Sequence, residues 1–528
     1  MAAIFEVHMK IKKYGAFVLA AVFSCAGTFA QDFDDFDDFG DFGDFGDVAS
    51  GISNAAKAVS ISGEASLEAR GYFDTDSTKD GINTDGGIKN TETTNNPSAK
   101  LNFKYSGATV ESEIKLKFDK NTLDENKKDI LDEFTVRGLF MENALTLEAG
   151  KLRTIWGKGD RLHVIDNFNA DDYTDFIVPL YTERRIAIPM FKASYAIPRN
   201  NMVLEAIWTP GMEADRFSTE GRWAPAKANT LKNTVAGVMK AKYGETNADD
   251  HFAVLAEANK YNSDPTAIYP DTDKLKYNQA GLRLTGTVGN LDLGLSYYYG
   301  HYKQVSANME KYLKSTFSST STPKQATALP ELDFDRKQTF GIEAATILWK
   351  FNLRSELCYN LTSDTAGDDP WVHNNSVQWL AGFDIDLPIN NINVNIQETG
   401  TYILDNDKIK NGDGIEKAMG MPLPALKGLD VDYDAKDRYT TNHLVVNITD
   451  SWKNGKIEPE VTALWSIERG DLAVMPKVEF NPNQDITFTV SGLIMYAKDE
   501  NSEFAEWSGK GNGTLNNSYM GIGVKCKF

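Results

Sequence analysis

The chain has 528 residues, 41% of them hydrophobic and 25% charged, and a formal net charge of −20. That acidity argues against a nucleic-acid binder, which needs a basic face to displace counterions from phosphate. Three cysteines are too few for a disulfide framework, and nowhere does an apolar run of about 20 residues offer a membrane-crossing helix.

In chain order, the first thirty residues read as a secretory signal peptide beginning at Met9. Lys10, Lys12 and Lys13 form its charged region, Ala16 to Val22 its apolar region, and cleavage is expected after Ala30. A lipoprotein signal acylated on Cys25 is the rival, for which Phe23 fits poorly. Residues 31–57 are rich in Asp, Phe and Gly, with Phe33, Phe36, Phe39, Phe42 and Phe45 three apart. Such a stretch buries too little apolar surface to offset its ordering entropy, so disorder is expected. It serves either as a docking peptide, its rings aligned along an extended chain, or as an acidic spacer.

From residue 58 to 528 the pattern has period two, the signature of half-buried strands. Examples are Leu101, Phe103 and Tyr105; Leu291, Leu293, Leu295 and Tyr297; and Ile486, Phe488 and Val490. Tight turns are expected at Ser106-Gly107, Glu142-Asn143, Pro198 to Asn201, Gly289-Asn290, Pro388 to Asn391 and Asn481 to Gln484. Between those hairpins run long polar connections: 74–97, 119–129, 153–186, 209–232, 262–275, 301–335, 361–374, 401–438 and 498–516. Only Glu468 to Asp471 is short where a long loop is due.

Short and long connections in alternation describe an all-β fold: a transmembrane antiparallel up-and-down β-barrel. The predicted count is about 20 strands, with 16–18 as the alternative. A tandem of β-sandwiches would need Greek-key crossings and both loop lengths at both ends. The last strand, NSYMGIGVKCKF, puts Met520, Ile522, Val524, Cys526 and Phe528 on one face and lysines and glycines on the other. Its expected partner is the first strand, near residues 59–73. Tyr72, Tyr105, Trp208, Tyr243, Tyr359, Trp465, Tyr496, Tyr519 and Phe528 fall near strand ends, as an aromatic belt would. Cys358 and Cys526 point to opposite faces of their strands, so no disulfide is expected.

The leader, the alternating strands and the terminal Phe528 resemble outer-membrane β-barrel proteins of diderm bacteria, over about residues 58–528. The resemblance implies an outer-membrane location, with contact to lipopolysaccharide or another surface lipid. It implies a periplasmic place for residues 31–57 and for any partner they dock. It also implies that Phe528, Cys526, Val524, Ile522 and Met520 are an assembly signal read by the barrel-assembly machinery. A second, weaker similarity is GKLRTIWGKGD, residues 150–160, which resembles a strand and Trp-Gly turn of some porin-like families.

The chain carries no local catalytic signature. Its six histidines are scattered outside any zinc-helix spacing, no Gly-x-Ser-x-Gly elbow occurs, and no cofactor is implied. Asp430, Asp432 and Asp434 have calcium-loop spacing, but Ala435 stands where Gly is required and Thr441 where the closing Glu belongs. One loop differs in kind. Residues 153–186 carry Trp156, Ile165, Phe168, Tyr173, Phe176, Ile177 and Tyr181, too apolar for a loop in water, so it should pack on something. Two placements compete: a surface cap, or a fold into the lumen that constricts a pore. In the second, Asp171, Asp172 and Asp175 would face Arg161, Arg184 and Arg185 and set up a transverse field.

The expected lumen face is charged with both signs: Glu111, Glu113, Lys115, Lys117, Arg137, Glu148, Arg283, Arg354, Glu356, Glu458, Glu460, Lys477, Glu479, Lys525 and Lys527. A polar inner wall implies water inside and passage of small hydrophilic solutes, a porin-like and non-enzymatic role. A carrier of hydrophobic solutes with an N-terminal plug, and an adhesin displaying loops 301–335 and 401–438, are the rivals. Solute identity and monomer versus oligomer are left open.

Overall fold

The computed structural model of the chain describes residues 59–74, 92–124, 126–198, 200–218, 221–225, 238, 269–316, 328–420, 424–511 and 514–528. The leader, residues 31–57 and, Val238 apart, the strand pair expected over 233–261 lie outside the described residues.

The first nine strands are β1 (Val59–Tyr72), β2 (Glu92–Ser106), β3 (Val110–Asp119), β4 (Leu131–Phe140), β5 (Leu145–Leu152), β6 (Ile188–Ile197), β7 (Met202–Thr209), β8 (Gln279–Val288) and β9 (Leu291–His301). A short hairpin, β10 (Ser306–Asn308) and β11 (Glu331–Asp333), sits within a long loop. Then come β12 (Arg336–Leu348), β13 (Phe351–Thr362), β14 (Ser376–Asp386), β15 (Asn393–Ile403) and β16 (Thr440–Thr449). The last four are β17 (Ile457–Ser466), β18 (Asp471–Phe480), β19 (Ile486–Tyr496) and β20 (Tyr519–Lys527).

All but β10 and β11 join one 18-stranded antiparallel sheet. Each strand pairs with its neighbour in the chain, β9 with β12 across the loop hairpin, and β20 with β1. The β1–β20 register runs from Glu64 opposite Lys527 to Tyr72 opposite Tyr519, and the Gly63 amide donates to the Phe528 carbonyl at 2.8 Å. The sheet is therefore a closed cylinder, as hydrocarbon requires, since an unpaired strand edge there would cost several kcal/mol per orphaned group.

Eighteen staves, the number given above as the alternative, replace the expected twenty for a definite reason. β7 pairs directly with β8, from Met202 opposite Gly286 to Thr209 opposite Gln279, so no strand stands between them in the wall. The short connection at Ile467–Gly470 is a sound hairpin, with Ser466 opposite Asp471. Two short turns had no advance signal. Trp349-Lys350 joins β12 to β13, with Trp349 at φ 58°, and residues 450–456 join β16 to β17.

The faces sort as the alternation demands. Outward lie Ile342 (52% exposed), Leu357, Ile494 (58%) and Ile522 (66%). Inward lie Glu343, Glu356, Gln397 and Asn447, all buried. Exposed Trp208, Tyr402, Trp465 and Tyr496 ring the long-loop end, while Phe140, Trp349, Trp452, Phe480, Phe488 and Phe528 ring the short-turn end. Tyr72 and Tyr519 do not belong to this belt. Both face inward at 2% exposure and stack edge-on, with Arg222 over Tyr72 and Arg70 over Tyr519, and Tyr243 lies outside the described residues. Cys358 faces the interior and Cys526 the outer face, and the two do not pair with each other.

Face assignment makes a direct prediction. Val490→Arg, which sets a charge at the middle of the outer band, should cost about 2–4 kcal/mol of folding stability in lipid, whereas Thr489→Arg on the inner face should cost under about 1 kcal/mol. Equal losses in urea titrations in vesicles would contradict the assignment.

Candidate functional site: the loop across the lumen

The segment between β5 and β6, residues 153–187, enters the cylinder. Its base is stapled by buried Asn169. The Asn169 carbonyl accepts the Thr154 amide at 2.9 Å, and its amide group donates to the Leu152 and Ile186 carbonyls at 3.0 and 2.8 Å. Trp156, Ile165 and Phe168, all at most 1% exposed, then pack on Leu152, Ile188, Met190, Ile207, Tyr298 and Cys358 of the inner wall.

The turn 157–165 is held by a carboxylate from a distant strand. Glu356 of β13 accepts backbone N–H bonds from Lys158 and Gly159 (2.8 Å each) on one oxygen, and from Val164 (2.8 Å) and Ile165 (3.3 Å) on the other. The backbone thus forms an anion nest around a protein side chain. Two glycines allow it. Gly157 has φ +116°, and a Cβ there would lie 2.2 Å from the Glu356 carboxylate. A Cβ at Gly159 would lie 2.0 Å from the Leu162 carbonyl oxygen. Next to this nest, the Gln397 side chain of β15 accepts the amides of Arg161 (2.8 Å) and Leu162 (3.2 Å), and Asp160 meets Arg354 at 2.8 Å.

The six residues singled out from sequence do not form one opposed set. Arg161 pairs with Glu460 of β17 at 2.9 Å. Asp171 and Arg185 do meet, at 3.3 Å, and Arg185 also holds buried Asp166 at 3.0 Å. Asp172 pairs with Arg216 at 3.1 Å, and Asp175 with Arg70 of β1 at 2.5 Å. Arg184 donates to the Ile177 and Pro179 carbonyls and lies over the rings of Tyr173 and Tyr181. In place of the expected transverse field between three aspartates and three arginines, the structure has separate pairs that tie the loop to β17, to β1 and to Arg216, and one pair within the loop. Phe176 completes the span, packing with Trp223, Phe504 and Trp507 beside β1 and β18–β20. Glu356, Gln397 and Asn169 carry most of the polar anchoring. Of these only Glu356 drew notice in the sequence, as one lumen residue among many, and the paired glycines were the signal available for its role.

Many of the remaining inner-wall charges are paired as well. Arg137 meets Glu148 and Glu111, Lys115 meets Glu133, Arg283 meets Glu343, and Lys477 meets Glu460. At the long-loop end, the described residues of loops 302–335, 363–375 and 404–439 form a cap with a core of Leu313, Trp371, Ile415 and Met419. His373 joins them, stacked on Tyr302 and 2.6 Å from Asp335. Asp430, Asp432 and Asp434 cap backbone amides or pair with Arg438 and Arg469, and no group of three metal-ligating side chains occurs among the described residues.

No protein-family model and no curated protein matches the chain. Among solved structures, a porin refined at 1.8 Å aligns with 89% of this chain and 100% of its own, at 11% identity and a TM-score of 0.35. A mutant of the Rh. blastica porin aligns over the same shares at 9% identity and a TM-score of 0.31. OccK11 of Pseudomonas aeruginosa aligns over 89% of this chain and 95% of its own, at 8% identity and a TM-score of 0.41. Similarity this distant leaves the chain's own registers and contacts to carry the functional reading.

Two predictions follow from the geometry. Glu356→Ala removes the acceptor of four amides, each costing about 1–3 kcal/mol if left dry. It should free the turn, seen as new protease cleavage within 157–165, while the barrel stays folded; an uncut loop would contradict this.

The second concerns pH. Burial pulls the His373 imidazole down, but its hydrogen bond to Asp335 and the charges of Asp432 and Asp335 outweigh that, and its pKa is raised. Burial first, then the charges of Asp432, Asp364 and Asp369, push the Asp430 carboxyl up to about 7. For the histidine, the stability gained is complete below its unfolded pKa and is lost as pH rises through the folded one. For the carboxyl, ionisation is resisted in the folded state, so stability falls as pH climbs from its unfolded value to the folded one. Both act in one direction. Amide-exchange protection of 363–375 and 404–439, corrected for intrinsic rates, should fall as pH rises from about 4 through about 7 and on through the raised His373 pKa. Constant or rising protection would contradict it.

Proposed function

We propose that the protein is a porin-like outer-membrane channel for passive diffusion of small hydrophilic solutes, with loop 153–187 as its constriction. The observation that carries this reading is the loop pinned to both sides of a polar cylinder, by Glu356, Gln397 and Glu460 on one side and Arg70 on the other. A cylinder of 18 staves is too wide for its wall side chains to fill, so water occupies what the loop leaves. In this orientation the short turns, the N-terminal segment 31–57 and the barrel closure face the periplasm, and the cap faces outward. The outer band contacts lipid, and the β20 face of Met520, Ile522, Val524, Cys526 and Phe528 is what the assembly machinery would read.

Purified protein in planar bilayers should show discrete conductance steps, and liposomes containing it should swell with small sugars and amino acids. Deleting residues 160–180 should raise the single-channel conductance. An unchanged conductance removes the constriction role, and silence in both assays on the intact protein removes the channel.

A further inference from the structure

The charged side chains of the inner wall are joined in chains rather than in simple pairs. One chain crosses from β3 to β7: Glu111 meets Arg137 (3.1 Å), Arg137 meets Glu148 (2.5 Å), Glu148 meets Lys192 (3.9 Å) and Lys192 meets Glu205 (2.8 Å). Glu111, Arg137, Glu148 and Lys192 stand directly opposite one another in the sheet register. A second chain runs from Glu113 to Lys115 (4.0 Å), Lys115 to Glu133 (2.6 Å), Glu133 to Arg153 (3.5 Å) and Arg153 to Asp132. Both begin and end on a carboxylate. Shorter versions hold one cation between two carboxylates. Lys100 lies between Glu64 (3.2 Å) and Glu183 (3.4 Å), Arg70 between Glu68 (2.7 Å) and Asp175 (2.5 Å), and Arg354 between Asp160 (2.8 Å) and Asp384.

A chain that begins and ends on a carboxylate keeps one negative charge that none of its cations cancels. Other wall contacts are even: Lys117 with Asp119, Arg283 with Glu343, Lys158 with Asp292, and Arg161 and Lys477 with Glu460 and Glu479. Lys104, Lys525 and Lys527 have no carboxylate at ion-pair distance among the described residues, and Lys337 donates to Asn167 instead. Against them stand Asp386 and Glu458, held only by the amides of Asn393 and Asn481, and Glu356 in its backbone nest. The lone lysines therefore offset only a small part of the surplus. Chain ends are also the carboxylates that the lumen meets. The Glu111 and Glu113 side chains are 32% and 31% exposed, against 10% for Glu148 in mid-chain. A surplus charge on a low-dielectric wall acts over roughly a Debye length, about 8–10 Å, into an aqueous passage.

We propose that the lumen prefers cationic solutes to anionic ones, and that the chain-ending carboxylates Glu111, Glu113 and Asp384 set that preference. The inference deepens the channel reading and rests on it. Carboxylates arrayed around a pore attract a cation as it sheds water and repel an anion, so amines and other small cations are the solute class favoured.

The test is the reversal potential of the intact protein in a planar bilayer under a KCl gradient. Potassium should permeate more readily than chloride. The Glu111→Gln, Glu113→Gln, Asp384→Asn triple variant should lower the potassium-to-chloride ratio about twofold or more. Glu331→Gln, on the exposed β10–β11 hairpin of the cap, should leave it unchanged. If the triple variant does not fold, Glu113→Gln alone, whose ion pair is the longest in its chain, should shift the ratio in the same direction. A wild-type preference for chloride, or a ratio unmoved by losing the carboxylates, overturns the inference while leaving a channel standing. Absence of any wild-type conductance overturns the channel reading itself and the inference with it.

Discussion

Every feature of this fold depends on one requirement, that a sheet surrounded by hydrocarbon has no free edge. Backbone N–H and C=O groups cannot find water there, so β20 must return to β1, and the rest of the chain accommodates that closure. The alternation of side chains follows, because a closed sheet has one face in lipid and one around the lumen. The strand count follows as well, since β7 and β8 satisfy each other's ladder and leave no place between them in the wall.

Closure with 18 staves creates a second problem, an interior wider than wall side chains can fill. The chain meets it with its own loop. Burying Trp156, Phe168 and Phe176 contributes on the order of 1.5–3 kcal/mol for each ring, enough to hold a loop in place but not to position its backbone. Position comes from polar groups. The Glu356 carboxylate inside four amides and the Asn169 staple fix where the loop turns, and the Arg161–Glu460 and Asp175–Arg70 pairs fix where it ends. Burial of the Asp175–Arg70 pair carries a desolvation penalty that offsets much of its attraction, so what such a pair contributes is one arrangement of the loop rather than stability.

The sequence made the barrel legible because its evidence is local. Gly289-Asn290 and Glu142-Asn143 are turn residues for their backbone, and Ile486, Phe488 and Val490 declare a face without reference to any other strand. The turn at Trp349-Lys350 was invisible because nothing in those side chains favours the positive φ that Trp349 adopts. The predicted count of about 20 strands is close to the 18 in the wall, and the difference is set by the β7–β8 register, which no local pattern announces. The lumen loop was readable as far as its composition went, since a loop carrying Trp156, Ile165, Phe168, Tyr173, Phe176, Ile177 and Tyr181 must pack somewhere. Its charge partners were not, for Arg161 and Glu460 stand 299 residues apart, and Glu356 lies 197 from Gly159. Pairings at that separation follow from the closed geometry alone.

The span of loop 153–187 across the lumen is the claim most open to direct measurement. In a background with Cys358 and Cys526 replaced by Ser, Arg161→Cys with Glu460→Cys, and Asp175→Cys with Arg70→Cys, can be treated in vesicles with a short bifunctional maleimide. Rapid crosslinking of both pairs is expected, with Arg161→Cys paired to Arg70→Cys as the slow control. Failure of either pair, or equal reaction of the control, would mean that the loop does not bridge the two walls.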